Sequence, residues 1–209
     1  MNRLLLLIFP LLLVLSCISK HHSDAPPVTI NILGDTSTII TADTVPINRL
    51  KSSINWTATE MRGLKKRAGK ISFSKGYCLF SKQKIVGGSF IVDMKTIDVT
   101  DIPAHEKEAR RNLIAHLKSK DFFYTKTYPV SNLKFTSVQK LSNDSLKIRG
   151  DLTIRNVTKN ITFFAQQKGS RFIAKFTFNR LDWKVAYTGS WADKTLVDND
   201  IELAIEVTF

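Results

Sequence analysis

Over residues 201–209 apolar and polar positions alternate without a break: Ile201, Leu203, Ile205, Val207 and Phe209 share one face, and Glu202, Ala204, Glu206 and Thr208 share the other. A period of two with one apolar side is the mark of a strand buried on one face and wet on the other. The pattern recurs over 146–155, where Leu146, Ile148, Leu152 and Ile154 oppose Lys147, Arg149, Asp151, Thr153 and Arg155. Gly150 interrupts that apolar face, and a glycine inside a strand marks a bulge or the bend of a barrel corner. Further strands are predicted at 53–61, 69–73, 77–82, 86–95, 132–141, 160–167 and 171–179. Turn signals such as Ser142-Asn143-Asp144 and Lys168-Gly169-Ser170 separate them, giving about eight or nine strands in all. No βαβ spacing occurs, so the fold class is mainly β, an antiparallel sandwich or barrel.

One segment breaks the alternation. Ala109, Leu113 and Leu117 recur at four-residue spacing within 104–118, which predicts a single helix lying on the domain. Pro103 suits its entry, Glu106 and Glu108 its first turns and Lys118 its last.

The chain opens differently. Arg3 precedes an apolar run over 4–15 that ends at Ser16 and Cys17. A membrane span needs about 20 apolar residues, so this reads as a secretory signal over 1–16. Val14-Leu15-Ser16-Cys17 resembles a bacterial lipobox, which implies that Cys17 is acylated and heads the mature protein. The plainer alternative is an ordinary signal peptide, which leaves Cys17 free to pair with Cys78. If Cys17 carries lipid, Cys78 is a lone cysteine in a strand and reads as a small buried hydrophobe. Residues 17–46 are polar, carry prolines and lack a sustained period, as a flexible tether does, with a short edge strand conceivable at Ile39-Ile40. The domain then occupies 47–209, and the expected location is the bacterial periplasm or outer membrane.

Of the 209 residues 43% are hydrophobic and 23% charged, which excludes a disordered or collagen-like chain. The formal charge is +13, from 31 basic and 18 acidic residues; losing Arg3 with the signal leaves 30 against 18, or +12. An exported protein meets little nucleic acid, so the natural acidic neighbour is an anionic membrane or a phosphate-bearing head group. Arg62, Lys65, Lys66, Arg67 and Lys70 lie between the first two predicted strands, reading as a loop near a barrel end. They are the candidate head-group or membrane contact, weighed against a plain solvated run of lysines.

Chemistry is sparse. His21 and His22 fall in the tether, while His105 and His116 stand eleven residues apart on the predicted helix, too far to share an ion. Asp93, Asp98 and Asp182 have no evident partner and read as loop caps. No nucleophile elbow, zinc-protease motif or phosphate loop occurs. No catalytic residue, metal or cofactor is expected, and the chain is read as a non-enzyme. Four glycosylation sequons, at Asn55, Asn143, Asn156 and Asn160, are incidental in a bacterial lipoprotein.

The segment His116-Leu117-Lys118-Ser119-Lys120-Asp121-Phe122-Phe123, then Tyr128-Pro129 and Phe135-Thr136-Ser137, resembles the signature of the YceI-like family. The stretch 85–97, Gly150-Asp151-Leu152-Thr153-Ile154 with Thr158-Lys159, Arg180-Leu181-Asp182-Trp183, and Val197-Asp198 with the final strand follow in the family's order. The resemblance implies an exported lipocalin-like barrel of about eight strands with one helix packed on it, and an isoprenoid or related lipid as ligand. Two positions depart from it: Asn156 replaces a common turn glycine, and Lys184 replaces the glycine that usually follows Trp183.

An eight-stranded barrel is either filled by its own side chains or holds one small ligand, and the sequence leaves both open. The candidate lining is Trp56, Phe90, Val92, Met94, Phe135, Leu146, Ile148, Leu152, Phe163, Phe172, Phe176, Leu203 and Ile205, each of which could equally be core. Burying ten chain carbons at about 0.8 kcal/mol each yields on the order of 8 kcal/mol gross, enough for a long amphiphile without polar contacts. The leading expectation is therefore a lipid carrier or reservoir. A non-catalytic interaction protein with a filled barrel is the alternative, and homodimer formation is left open.

Overall fold

The computed structural model describes residues 23–31, 42–60, 63–142, 144–185 and 197–209. Cys17, Arg62 and the Ile39-Ile40 pair lie outside these. The strands are β1 (Thr29–Asn31), β2 (Asp43–Pro46), β3 (Ser53–Glu60), β4 (Lys65–Ser81), β5 (Lys84–Val99), β6 (Val130–Lys140), β7 (Ser145–Ile154), β8 (Val157–Lys168), β9 (Arg171–Asn179) and β10 (Val197–Thr208). Helix α1 (Lys107–Lys118) joins β5 to β6, and a 3-10 turn (Arg180–Trp183) follows β9. Strands β3 to β10 close into an antiparallel barrel through the β8–β9, β9–β10 and β10–β3 pairings.

The strands expected at 69–73 and 77–82 are one strand, β4, whose register with β5 shifts between Phe73 and Lys75. That bulge exchanges the inward parity, from Arg67, Gly69, Ile71 and Phe73 to Cys78 and Phe80, and so imitates a strand break in the sequence. Gly150 is regularly paired with Phe135, and the irregularity lies opposite it, between Phe135 and Ser137 on β6. At Gly69 the need for glycine is steric. A Cβ there would stand 2.0 Å from the Asp98 carbonyl oxygen and 2.4 Å from the Trp56 ring, so the indole lies flat against bare backbone.

Part of the expected tether belongs to the wall. β8 and β9 pair only between Ala165–Lys168 and Arg171–Ala174. Beyond that the N-terminal segment fills the seam: β1 pairs with Thr162, Ile161 and Asn160 of β8, while Val28 N donates to Thr177 O and Thr177 N donates to Pro26 O on the β9 side. Asn31 seals the junction by donating to Thr162 Oγ1 at 2.8 Å and Asn160 Oδ1 at 3.2 Å. β2 pairs with β4.

One end of the barrel is solid. Phe135 is its hub, with ring centroids 5.4 Å from Phe90, 5.8 Å from Phe172 and 6.2 Å from Phe163. Leu146, Ile148, Cys78 and Ile85 are buried in the same core. Gln167 plugs this end, its Oε1 accepting from Ile85 N at 3.0 Å and its Nε2 donating to Gln83 O at 2.8 Å. Burial pushes the Cys78 thiol up to about 12 from 9.0. The folded thiol therefore keeps its proton where the unfolded one loses it, and stability falls as pH rises from about 9 towards 12. Cys78 is expected to resist alkylation at pH 8 and to react once the chain is unfolded in urea, which peptide mapping of the modified protein would reveal.

Candidate functional site

Towards the other end the inward side chains stop meeting. They enclose a cavity of about 180 Å³ lined by every barrel strand and by Leu113, His116, Leu117, Phe122 and Phe123 of α1 and the turn after it. The lining is apolar except for Thr59, Glu60, Arg67, His116 and Ser131. Glu60 and Arg67 line the cavity and also reach solvent, with side-chain exposures of 25% and 17%, so this end is the mouth. Its floor is aromatic: Phe73 lies 6.0 Å from Phe90, Phe90 lies 6.5 Å from Phe172, and Phe163 lies 4.8 Å from Phe176.

Of the residues assigned to the lining from sequence, Trp56, Phe90, Val92, Met94, Leu152, Phe163, Phe172, Phe176, Leu203 and Ile205 face the cavity. Phe135, Leu146 and Ile148 do not. They point inward at the solid end, where the core packs them away from the hollow, and alternation assigns a face without assigning a depth. Sequence reasoning missed Ile54, Ile71, Leu133 and Ile201, which the same alternation supplies, and Leu113 and Leu117, whose helical face was read only as packing on the domain.

The helix begins at Lys107, three residues later than expected, so Pro103 stands in the preceding turn and His105 lies outside it. Ala109 is exposed, and Leu113, His116 and Leu117 make the contact with the cavity. Asp98, expected to lack a partner, holds α1 to the barrel: Arg110 Nη2 donates to both carboxylate oxygens at 2.8 Å. Partial burial pushes the Asp98 carboxyl up, but the Arg110 hydrogen bond, the Val99 amide and the charges of Arg110 and Lys70 outweigh it and leave it below its usual value of 3.8. A depressed carboxyl stabilises the fold at neutral pH and loses that contribution as pH falls below 3.8 through the folded value. Asp98→Asn is expected to cost about 0.5–1 kcal/mol, the pair being partly exposed, and to speed amide exchange within α1 at pH 7.

The basic cluster is not a loop. Lys65, Lys66, Arg67 and Lys70 belong to β4, and strand alternation divides them between the two faces of the wall. Arg67 turns to the mouth, where its Nε stands 3.3 Å from Glu60 Oε1 and its Nη1 3.1 Å from Asp101 Oδ2. Two carboxylates therefore neutralise Arg67, the one described member of the cluster that lines the cavity. Behind the mouth Arg180 is 1% exposed. Its Nη1 donates to Val185 O at 2.7 Å, its Nε donates to Asp198 O at 3.1 Å, and its guanidinium lies 5.4 Å above the Phe122 ring. The Asp198 carboxylate accepts from Thr59 Oγ1.

Both departures from the resemblance are accommodated. Lys184 takes up the left-handed backbone itself, at φ 56°, and its carbonyl accepts from Arg155 Nη1 at 2.7 Å. At the β7–β8 turn the left-handed residue is Arg155, also at φ 56°, rather than Asn156. Trp183 is wholly buried, donating from Nε1 to Leu152 O at 3.0 Å.

Residues 46–209 match the model of the YceI-like domain. The chain belongs to the YceI-like family. A YceI protein from Escherichia coli O157:H7 is 35% identical over 100 residues, covering 44% of this chain. The chain spans about half the length of the curated relatives it matches, 50% in that case. Among solved structures, BcnA of Burkholderia cenocepacia superposes with a TM-score of 0.64 at 20% identity, over 78% of this chain and 99% of its own. A polyisoprenoid binding domain from Saccharophagus degradans superposes with a TM-score of 0.54 at 11% identity, over 80% and 97%. At such identities the structural likeness concerns the YceI-like fold.

Proposed function

We propose that this YceI-like barrel binds the chain of an isoprenoid or other long-chain amphiphile in its cavity, as a non-catalytic carrier or reservoir in the bacterial envelope, anchored by an acylated Cys17. The observation that carries the reading is the unfilled apolar hollow of about 180 Å³. Sites for compact drug-sized ligands run to about 300–1,000 Å³, so this one suits the width of a single slender chain whose remainder leaves by the mouth. The polar groups of the lining include Glu60 and Arg67 at that opening, where the head of an amphiphile would sit. The polyisoprenoid binding domain with the same fold supports the choice of ligand class. A filled barrel acting through its outer surface, the alternative compatible with the sequence, gives no account of the hollow.

Native mass spectrometry of the protein purified without detergent tests the reading. A carrier is expected to show a bound species of lipid mass that organic extraction removes. Protein of bare polypeptide mass, recovered from lipid-rich membranes, would end the carrier reading. The anchor is tested separately, by a diacyl mass increment on the peptide that begins at Cys17 and its loss in Cys17→Ala.

A further inference from the structure

Leu64 stands in the β3–β4 turn immediately before β4, with 84% of its surface exposed, and Lys65 and Lys66 follow it. Across the same end Leu181 is 43% exposed on the 3-10 turn, close to Lys184. Among the described residues neither Lys65 nor Lys66 has an ion pair within 4.0 Å. Single apolar tips flanked by cations fit the interface of an anionic bilayer, where the leucine enters the acyl boundary and the ammonium groups meet phosphates.

The barrel's opposite end offers a rival, for Leu50 is 99% exposed between Arg49 and Lys51. The path of the N-terminus decides between them. Ser23 Oγ donates to Glu202 Oε2 and accepts from Thr177 Oγ1 at 3.0 Å, and Lys66 is among the charges that act on Glu202. Thr177 is two residues from the mouth end of β9 and six from its other end. Cys17 stands only six positions before Ser23. At about 3.3–3.6 Å per extended residue, a lipid on Cys17 lies no more than ~20 Å from this point. The anchor would thus enter the membrane beside Lys66, on the mouth side.

We propose that the Leu64-Lys65-Lys66 tip docks on an anionic lipid bilayer and turns the cavity mouth to the membrane. The inference rests on the lipid-binding reading for its purpose and on the Cys17 anchor for its choice of end. Docking itself requires neither.

The test is flotation of the full chain carrying Cys17→Ala, which lacks the acyl anchor, with vesicles of phosphatidylglycerol and phosphatidylcholine or of phosphatidylcholine alone. Binding is expected to the anionic vesicles and to weaken in high salt. Each lysine near such a surface contributes roughly fivefold, so Lys65→Glu with Lys66→Glu is expected to reduce binding at least tenfold. Leu64→Ser is expected to reduce it by a smaller factor. Arg49→Glu with Lys51→Glu, at the opposite end, is expected to change it less than twofold. A greater loss from the opposite-end pair, an unchanged mouth pair, or equal binding to both vesicle types would overturn the proposal. Lys65→Gln with Lys66→Gln guards against misfolding by charge reversal and is expected to lose binding in the same direction. The same assay on Leu203→Trp, whose indole obstructs the cavity, separates the two readings: that protein is expected to dock while holding no lipid.

Discussion

Leu203→Trp is expected to strip the protein of bound lipid while leaving it folded. Leu203 faces the cavity from β10, paired on one side with Trp56 of β3 and on the other with Phe176 of β9, both of which line the same space. An indole placed there has about 180 Å³ to occupy, so it takes the room of the ligand chain rather than of its neighbours. Overpacking a filled core costs about 1–3 kcal/mol, and the hollow should keep this substitution at or below the lower end. Native mass spectrometry is expected to show lipid occupancy reduced at least tenfold against the unsubstituted protein, with a urea midpoint close to the original. Ala204→Trp, one residue along on the outer face, is expected to retain the lipid. If Leu203→Trp kept the same bound mass, the ligand would lie outside the cavity.

Arg180→Ala is expected to destabilise the barrel by about 3–5 kcal/mol, the scale of losing one partner from a buried charged network. The guanidinium joins three elements that meet behind the mouth: Val185 after the 3-10 turn, the β10 backbone at Asp198, and the Phe122 ring after α1. Burial lowers its pKa from the ordinary arginine value while the Asp198 charge opposes the shift, and an arginine remains protonated throughout. Its removal leaves the buried Val185 carbonyl and the partly buried Asp198 carbonyl without these donors and a space over Phe122, both of which cost free energy. Small domains are stable by about 5–15 kcal/mol in total, so the urea midpoint is expected to fall by a large fraction. Arg180→Lys keeps the charge but lacks the planar fork that reaches both carbonyls, and an intermediate loss is expected. A midpoint unchanged in Arg180→Ala would mean that the mouth is held together without this network.

How far these sites could be read in the sequence depends on the range of the interactions behind them. The strand at 171–179 was legible residue for residue, and the faces of β7 and β10 were legible because alternation is a local consequence of the pleat. β4 was legible only as two separate strands, since a bulge and a break leave the same mark on a linear pattern. The residues assigned to the lining border the hollow where a strand crosses it, whereas Phe135, Leu146 and Ile148 lie where the same inward face runs on into packed core. Charge was the least legible. Lys65, Lys66, Arg67 and Lys70 are one cluster along the chain, but the fold points Arg67 at Glu60 and Asp101 and leaves Lys65 and Lys66 beside Leu64.

The sequence by itself determined the antiparallel β architecture, the single helix after the fourth predicted strand, and the YceI-like motifs in order, all of which rest on local periodicity or on matching residues. Only the tertiary structure decided that part of the N-terminal segment closes the seam between β8 and β9, that α1 borders the mouth, and that the interior is solid at one end and hollow at the other. Those outcomes depend on barrel closure. The pairing of strands far apart in sequence fixes how deep each inward side chain sits and whether it finds a partner across the axis, and a side chain's depth leaves no trace in the alternation that turns it inward.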